Sequence, residues 1–178
     1  MLTKKEIIDI LELEPLLGEG GLWKKSCFSD LTLPGGAMAD YPIDRPLYGA
    51  IYYLLTPETF SCMHRLTTDE IWYHHMGPAV KLLLIHADGT SEVRLLGQDL
   101  KRGERPQIRV RRGTWQGAAI DQAACDPANE DTFTFLSTSM APEYLACDYE
   151  AGTYDELKQY VDEENLGLLE FLTGSVRY

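Results

Sequence analysis

Short runs rich in β-branched, aromatic and aliphatic residues recur between Gly49 and Met140, and each is closed by turn residues. The runs cover 50–55, 61–66, 71–76, 80–86, 92–96, 107–111, 114–120 and 132–140. A spacing of roughly 8–12 residues between short strands predicts a β-sandwich or barrel. Ile108 and Val110 alternate with Arg109 and Arg111, so one face of that strand packs and the other is polar. Ala87-Asp88-Gly89-Thr90 is the clearest hairpin, because Asp-Gly suits the positive φ angles of a tight primed turn. No long amphipathic stretch interrupts the set, which argues against a parallel βαβ sheet.

Helix is predicted only at the two ends. Thr3-Lys4-Lys5-Glu6 reads as a capping box, Ile7, Ile8 and Leu11 form the apolar stripe behind it, and Pro15 stops the helix. Thr153-Tyr154-Asp155-Glu156 is a second capping box, with Leu157, Tyr160 and Val161 on one face. Asn165 is placed to cap a last helix through Leu168, Leu169 and Leu172, closed by Gly174. Residues 34–46 hold turn signals and no periodicity, so they predict a long loop, mobile or wrapped over the surface. The organisation is one all-β domain over 1–178, with a helix in 1–17, the β-region in 18–150 and helices in 153–178.

A chain of 178 residues suits one domain, and 44% hydrophobic with 25% charged residues supplies a core. The formal net charge of −12 repels phosphate backbones and anionic lipid, so neither nucleic acid nor membrane is an expected partner. No apolar run approaches the roughly 20 residues of a membrane helix. Glu6, Asp9, Glu12 and Glu14 stand where the apolar part of a signal peptide would lie. Cys27, Cys62, Cys125 and Cys147 are far apart with no Cys-x-x-Cys pair, and no Asn-x-Ser/Thr occurs. Reduced thiols in the cytoplasm are the expectation.

Glycine-rich phosphate loops and the Gly-x-Ser-x-Gly elbow are absent. The densest polar constellation is 61–77, with His64, His74, His75 and the Asp69-Glu70 pair. Imidazole and carboxylate together serve proton transfer near neutral pH, or metal ligation. A hairpin turning at Thr67-Thr68 is expected to bring His64 and Glu70 together, near Gln116 from a later strand. The plain structural alternative leaves His64 and Arg65 solvated, Asp69-Glu70 in a turn and Trp72 in the core. By alternation, Cys62, His64 and Leu66 share one face, and Glu70, Trp72 and His74 share another. Cys62 on the His64 face would be an inert pocket thiol, while His75 and His86 read as surface or packing residues.

Glu70, followed after six residues by Gly77, is similar to the latter half of the first cupin motif. Arg111-Arg112-Gly113-Thr114-Trp115-Gln116 stands where the second motif has a Pro-x-Gly turn and a His. Glu19-Gly20-Gly21, Ile51-Tyr52-Tyr53-Leu54-Leu55, Ser61 with His64-Arg65, Asp69-Glu70 with Trp72, Pro106-Gln107, Gly113 with Trp115, and Pro142 add further matches. The chain resembles the cupin superfamily, nearest a poorly characterised sugar-epimerase-like branch, over roughly residues 18 to 150.

The resemblance implies a jelly-roll barrel (the double-stranded β-helix) whose cavity takes a small molecule. It implies His64 and Glu70 as the catalytic pair, with Ser61, Tyr53, Trp72, Tyr73, Gln107 and Gln116 as ligand-binding residues. Metal-binding cupins offer two His and a Glu from the first motif and a His from the second. Leu66 and Gln116 stand at two of those places, so no cofactor is expected, and a divalent metal, if held, would fall to His64 and Glu70. Sugar-nucleotide epimerases of this superfamily use a His base and a Tyr acid without metal, which makes Tyr53 and Tyr73 the candidate donors. Arg65, Arg109 and Arg111 would offset the acidic surface toward such a substrate. The alternatives are a non-catalytic ligand-binding or sensing module and a structural dimer. A homodimer is expected, with 20–30 as the segment for strand exchange.

Overall fold

A computed structural model describes residues 2–176 apart from 127 and 130. The outermost positions of the 1–178 domain, Met1, Arg177 and Tyr178, therefore lie outside the described residues. Helix α1 (Lys4–Leu11) comes first, with strands β1 (Glu14–Pro15), β2 (Leu22–Phe28), β3 (Thr32–Leu33) and β4 (Arg45–Pro46) after it. The main strands are β5 (Gly49–Leu55), β6 (Phe60–Leu66), β7 (Glu70–Met76), β8 (Val80–Ile85), β9 (Ser91–Leu96), β10 (Gln107–Val110), β11 (Trp115–Ile120) and β12 (Thr134–Met140). Strand β13 (Tyr149–Ala151) and helices α2 (Tyr154–Leu157) and α3 (Leu166–Leu172) complete the chain. The eight predicted runs are all strands, with ends displaced by a residue or two.

All pairings between these strands are antiparallel. One sheet has the order β1-β2-β5-β12-β7-β10 and the other β13-β6-β11-β8-β9. This is the jelly-roll arrangement of two facing sheets. It corrects one expectation directly: β6 and β7 are not a hairpin but belong to opposite sheets. The 67–69 link crosses from one sheet to the other, so the inner faces of β6 and β7 look at each other across the interior.

Strand β2 lies in the 20–30 segment expected to be exchanged, and it pairs with β5 of its own chain, Leu22 opposite Leu54. The Asp88-Gly89 turn also differs. Only Gly89 has positive φ (85°), and Asp88 keeps an ordinary backbone while its carboxylate accepts from the Thr90 N–H at 3.0 Å. The His86 N–H donates to the Thr90 carbonyl at 2.8 Å, so three residues form the loop rather than a two-residue primed turn.

Both predicted capping boxes form, with Thr3 N–H to Glu6 at 2.8 Å and Thr153 Oγ1 to Glu156 at 2.6 Å. Asn165 does not cap α3; it is itself helical, in a short 3-10 turn that runs into the helix. Thr173, not Gly174, closes α3, its hydroxyl bonded to the Leu169 carbonyl at 2.8 Å.

The central core lies between the sheets, with Tyr53, Trp72, Leu82, Leu84, Ile108 and Leu136 buried in it. A second cluster packs Phe60, Met63, Leu83 and Ile85 of the outer face against Leu157, Leu169 and Leu172 of the C-terminal helices. A third packs Ile7 and Leu13 under Leu54 and Phe133. The helices thus cover sheet faces that alternation leaves apolar on both sides. The 34–46 loop is wrapped and anchored. Arg45 is buried in an ion pair with Asp148 at 2.8 Å, and Tyr41 is buried beneath its guanidinium.

Candidate functional site

Strand β6 carries the centre of the site, and a bulge decides which of its residues point inward. Gln116 pairs with His64 and Ala118 with Ser61, so Cys62 and Met63 together oppose Gly117. A Cβ on Gly117 would lie 2.6 Å from Met63 Sδ, and its absence makes room for the bulge. Ser61 and His64 therefore share the inner face although three residues separate them. Cys62 turns out to pack with Phe60 and Met63, which corrects its expected place beside His64. Burial, then the charge of Glu19, pushes its thiol up to about 11. Such a thiol is inert at neutral pH.

His64 is buried, and its Nδ1 lies 2.7 Å from the Cys62 carbonyl oxygen. A carbonyl only accepts, so the neutral ring holds its proton on Nδ1 and leaves the Nε2 lone pair facing inward. Gln116 Nε2 is 3.3 Å from that lone pair and 2.7 Å from Glu70 Oε2. The Trp72 indole N–H donates to Gln116 Oε1 at 2.9 Å. An indole only donates, so the amide is oriented with its NH2 toward His64 and Glu70. Tyr149 of β13 stacks on the imidazole with centroids 5.1 Å apart and planes 17° from parallel.

Glu70 enters from the opposite sheet and is buried. Burial pushes its carboxyl above the ordinary value. The charge of Glu19 adds to that, while His64 and hydrogen bonds with Thr138 and Gln116 pull the other way. A group with a raised folded pKa adds stability at low pH, and that contribution is lost as pH climbs through the folded value. The Glu70→Gln variant should therefore lack a loss of stability that the parent shows as pH rises above 4.5, the ordinary Glu value. Urea melts of both proteins from pH 4 to pH 8 check this, and parallel curves would refute it.

The sequence marks Glu19 only as part of the Glu19-Gly20-Gly21 motif and gives no local sign that its side chain enters the site. Gly20 has φ 104°, and a Cβ there would come within 2.2 Å of the Phe60 carbonyl. The glycine lets the loop lie against β6, where the Cys62 N–H donates to the Glu19 carbonyl at 2.9 Å. The Glu19 side chain then reaches inward and accepts from Ser61 Oγ at 2.9 Å.

These groups converge on a cavity of about 270 Å³. Trp23, Ile51, Tyr53 and Trp72 wall it, with Glu19, His64 and Glu70 as inner polar groups. Lys25, Glu143 and Tyr144 stand at its more exposed end, Lys25 ion-paired with Glu143. Ser61 and Gln116 lie one step behind this lining and hold Glu19, His64 and Glu70 in place.

Tyr73 and Gln107 are elsewhere, which corrects the expectation for both. They pair across β7 and β10 on the outer face, where Gln107 is exposed and the Tyr73 hydroxyl meets Ser139 Oγ at 3.1 Å. Alternation explains it: Trp72 faces inward, so its neighbour Tyr73 faces out. The Tyr53 hydroxyl is buried and donates to the Gly20 carbonyl at 2.7 Å. His75 and His86 lie outside the cavity lining, His75 bonded to Ser137 and His86 to Glu92.

No group of three His, Cys, Asp or Glu side chains that could hold a metal ion occurs among the described residues. The Gln116 NH2 lies between His64 Nε2 and Glu70 Oε2, presenting donors where a cation needs acceptors, and Leu66 adds no ligand. The residues do not fit a bound metal. No helix among the described residues is long and apolar enough to cross a membrane.

The model of the cupin superfamily family DUF985 matches residues 5–152. No curated protein matches the chain. A protein of solved structure from Shewanella oneidensis is 30% identical, with a TM-score of 0.80 over 98% of this chain and 99% of its own. A hypothetical protein from Leishmania major is 27% identical, with a TM-score of 0.76 over 89% of this chain and 92% of its own. A cupin 2 domain-containing protein from Halorhodospira halophila, at 9% identity and TM-score 0.53 over 84% of this chain and 81% of its own, is alike in fold. With two antiparallel sheets in jelly-roll order around the His64–Gln116–Glu70 cavity, and a family match over most of its length, this chain belongs to the cupin superfamily, family DUF985.

Proposed function

We propose that the protein binds a small polar metabolite, of sugar type, in this cavity and acts on it as a metal-independent isomerase or epimerase with His64 as base. The observation that carries this is the tautomer lock. The Cys62 carbonyl holds the Nδ1 proton, so Nε2 presents its lone pair to the interior, opposed only by a long 3.3 Å contact from Gln116. A substrate C–H or O–H that displaces this contact meets a base already in the correct tautomer. Glu70, its carboxyl pushed upward by burial, stands across from it as the candidate acid.

A second reading, a non-catalytic binding or sensing module, draws on the tyrosines. The Tyr53 hydroxyl is engaged by the Gly20 carbonyl and Tyr73 faces outward, which leaves neither of the two candidate donors free in the cavity. Solvent exchange separates the two. Metabolites that raise the melting temperature are incubated with the protein in D2O. Uptake of deuterium at a carbon next to a carbonyl supports the isomerase. Ligands that bind and take up none support the binding module.

The protein is also proposed to be a homodimer in the cytoplasm. Phe28, Leu31, Leu47 and Tyr48 are exposed apolar residues at one end of β2 and in the segment leading to β5, which favours a covered face. All four cysteines are unpaired, in keeping with a reducing compartment. Light scattering at micromolar concentration is expected to give twice the 20.1 kDa chain mass, and a monomer would refute the dimer.

A further inference from the structure

The charges around the cavity are arranged in a way that bears on its ligand. Glu19 and Glu70 both face it, and no arginine is among the described lining residues. Lys25 is the one cation among the described lining residues, and Glu143 pairs with it. The arginines that would offset a phosphate are outside. Arg65 forms a two-pronged bond with Glu150, at 2.7 and 2.9 Å, and lies over the Trp115 ring. Arg109 is exposed and 3.8 Å from Asp69, and Arg111 is exposed on the same outer face.

Glu19 itself is only half committed. Ser61 engages Oε1, and no hydrogen bond reaches Oε2 from the described residues. Trp23, Tyr53, Trp72 and Tyr144 supply aromatic surface around it, which attracts cations and stacks against sugar rings. Burial pushes Tyr53, Cys62, Glu70, Tyr144 and Tyr149 upward, and the negative charge of Glu19 adds to each, so its field reaches across the site. A volume near 270 Å³ falls just below the usual range of ligand cavities, about 300 to 1,000 Å³, and suits a compact ligand.

We infer that the cavity selects small ligands without negative charge, and that Glu19 is the specificity-determining residue, receiving an ammonium group of the ligand or, more weakly, a hydroxyl. This rests on the reading that the cavity binds a small metabolite, and it turns that reading away from sugar nucleotides and sugar acids toward amino sugars and other compact polyhydroxy amines. An anion would meet two carboxyl groups in a low-dielectric site with no free cation to receive it. An ammonium would find a charge-assisted partner on Glu19 and an aromatic wall beside it.

The test is a thermal-shift and calorimetry panel on the full chain with matched probes in three charge classes. The amine class includes glucosamine and galactosamine, the neutral class the parent sugars and polyols, and the anionic class glucuronate and glucose 6-phosphate. Binding is expected from the amine class first and the neutral class second. Glu19→Gln, which keeps an acceptor for Ser61, is expected to weaken the amines about 10- to 100-fold and the neutral probes less than about 3-fold. Preferred binding of the anionic class, or amine affinity unchanged in Glu19→Gln, overturns the selectivity while leaving the cavity a ligand site. If Glu19→Gln does not fold, the charge order of the parent protein's ligands decides alone. No binding in any class overturns the metabolite reading together with the selectivity.

Discussion

Replacing His64 with asparagine is expected to remove base-dependent deuterium uptake into a bound metabolite, by about 10²- to 10⁴-fold, while the protein stays folded. Asparagine is chosen over alanine for a structural reason. His64 is buried, stacked on Tyr149 and bonded to the Cys62 carbonyl, so alanine would leave both that carbonyl and the Gln116 N–H without partners, whereas asparagine leaves only the long Gln116 contact unmade. Such a loss costs about 1–3 kcal/mol and would mix a stability effect into the result. The asparagine amide can still donate to the Cys62 carbonyl from nearly the Nδ1 position, but it has nothing at the place of Nε2. Melts without ligand should differ by less than about 1.5 kcal/mol. Exchange that persists in His64→Asn would remove His64 from the chemistry, whatever it contributes to binding.

A larger effect on stability is expected at the buried pair that ties the 34–46 loop to the chain after β12. Arg45 and Asp148 are about as buried as the core aliphatics, with side-chain exposures of 1% and 3%, and lie 2.8 Å apart. Thr67 Oγ1 and the Leu145 N–H also donate to the Asp148 carboxylate, at 2.6 and 2.8 Å. Asp148→Asn leaves a buried guanidinium without a counter-charge, a change that typically costs about 3–5 kcal/mol. For a chain of this size that lowers the melting temperature by roughly 6–20 °C. Replacing both partners by apolar residues, Arg45→Met with Asp148→Leu, should recover only part of the loss, because no lone charge remains but Thr67 Oγ1 and the Leu145 N–H lose their acceptor. A loss below about 1 kcal/mol in Asp148→Asn would show that water reaches the pair and screens it.

The same pair explains why the 34–46 segment reads as a loop and yet is firmly held. Its lack of periodicity is real: among the described residues its pairings are the two-residue contact of β4 with β3 and the isolated Met38–Tyr41 bridge. What anchors it is Arg45 meeting Asp148, 103 residues later in the chain, and no local pattern marks two residues so far apart as partners.

Local rules carried much of the fold. Alternating apolar positions located all eight main strands, because a residue pair in a pleated strand reports its face directly. The Thr3–Glu6 and Thr153–Glu156 boxes marked helix starts, because both partners of each bond lie within four residues. The same alternation put His64 inside on β6 and Glu70 with Trp72 inside on β7, and the expected convergence with Gln116 is what the side chains show.

Tertiary structure decided the rest. The bulge at Cys62–Met63 exists only against Gly117 of β11, and it moves Ser61 to the inner face and Cys62 to the outer one. Strands β6 and β7 pair with different neighbours, so His64 meets Glu70 across the interior and not along a hairpin. Glu19 becomes a site residue because Gly20 allows its loop to press on Phe60, a contact spanning 40 positions. Strand positions follow from side-chain order along one backbone. Register, sheet membership and the meeting of charges depend on hydrogen bonds and packing between segments that the chain brings together only on folding.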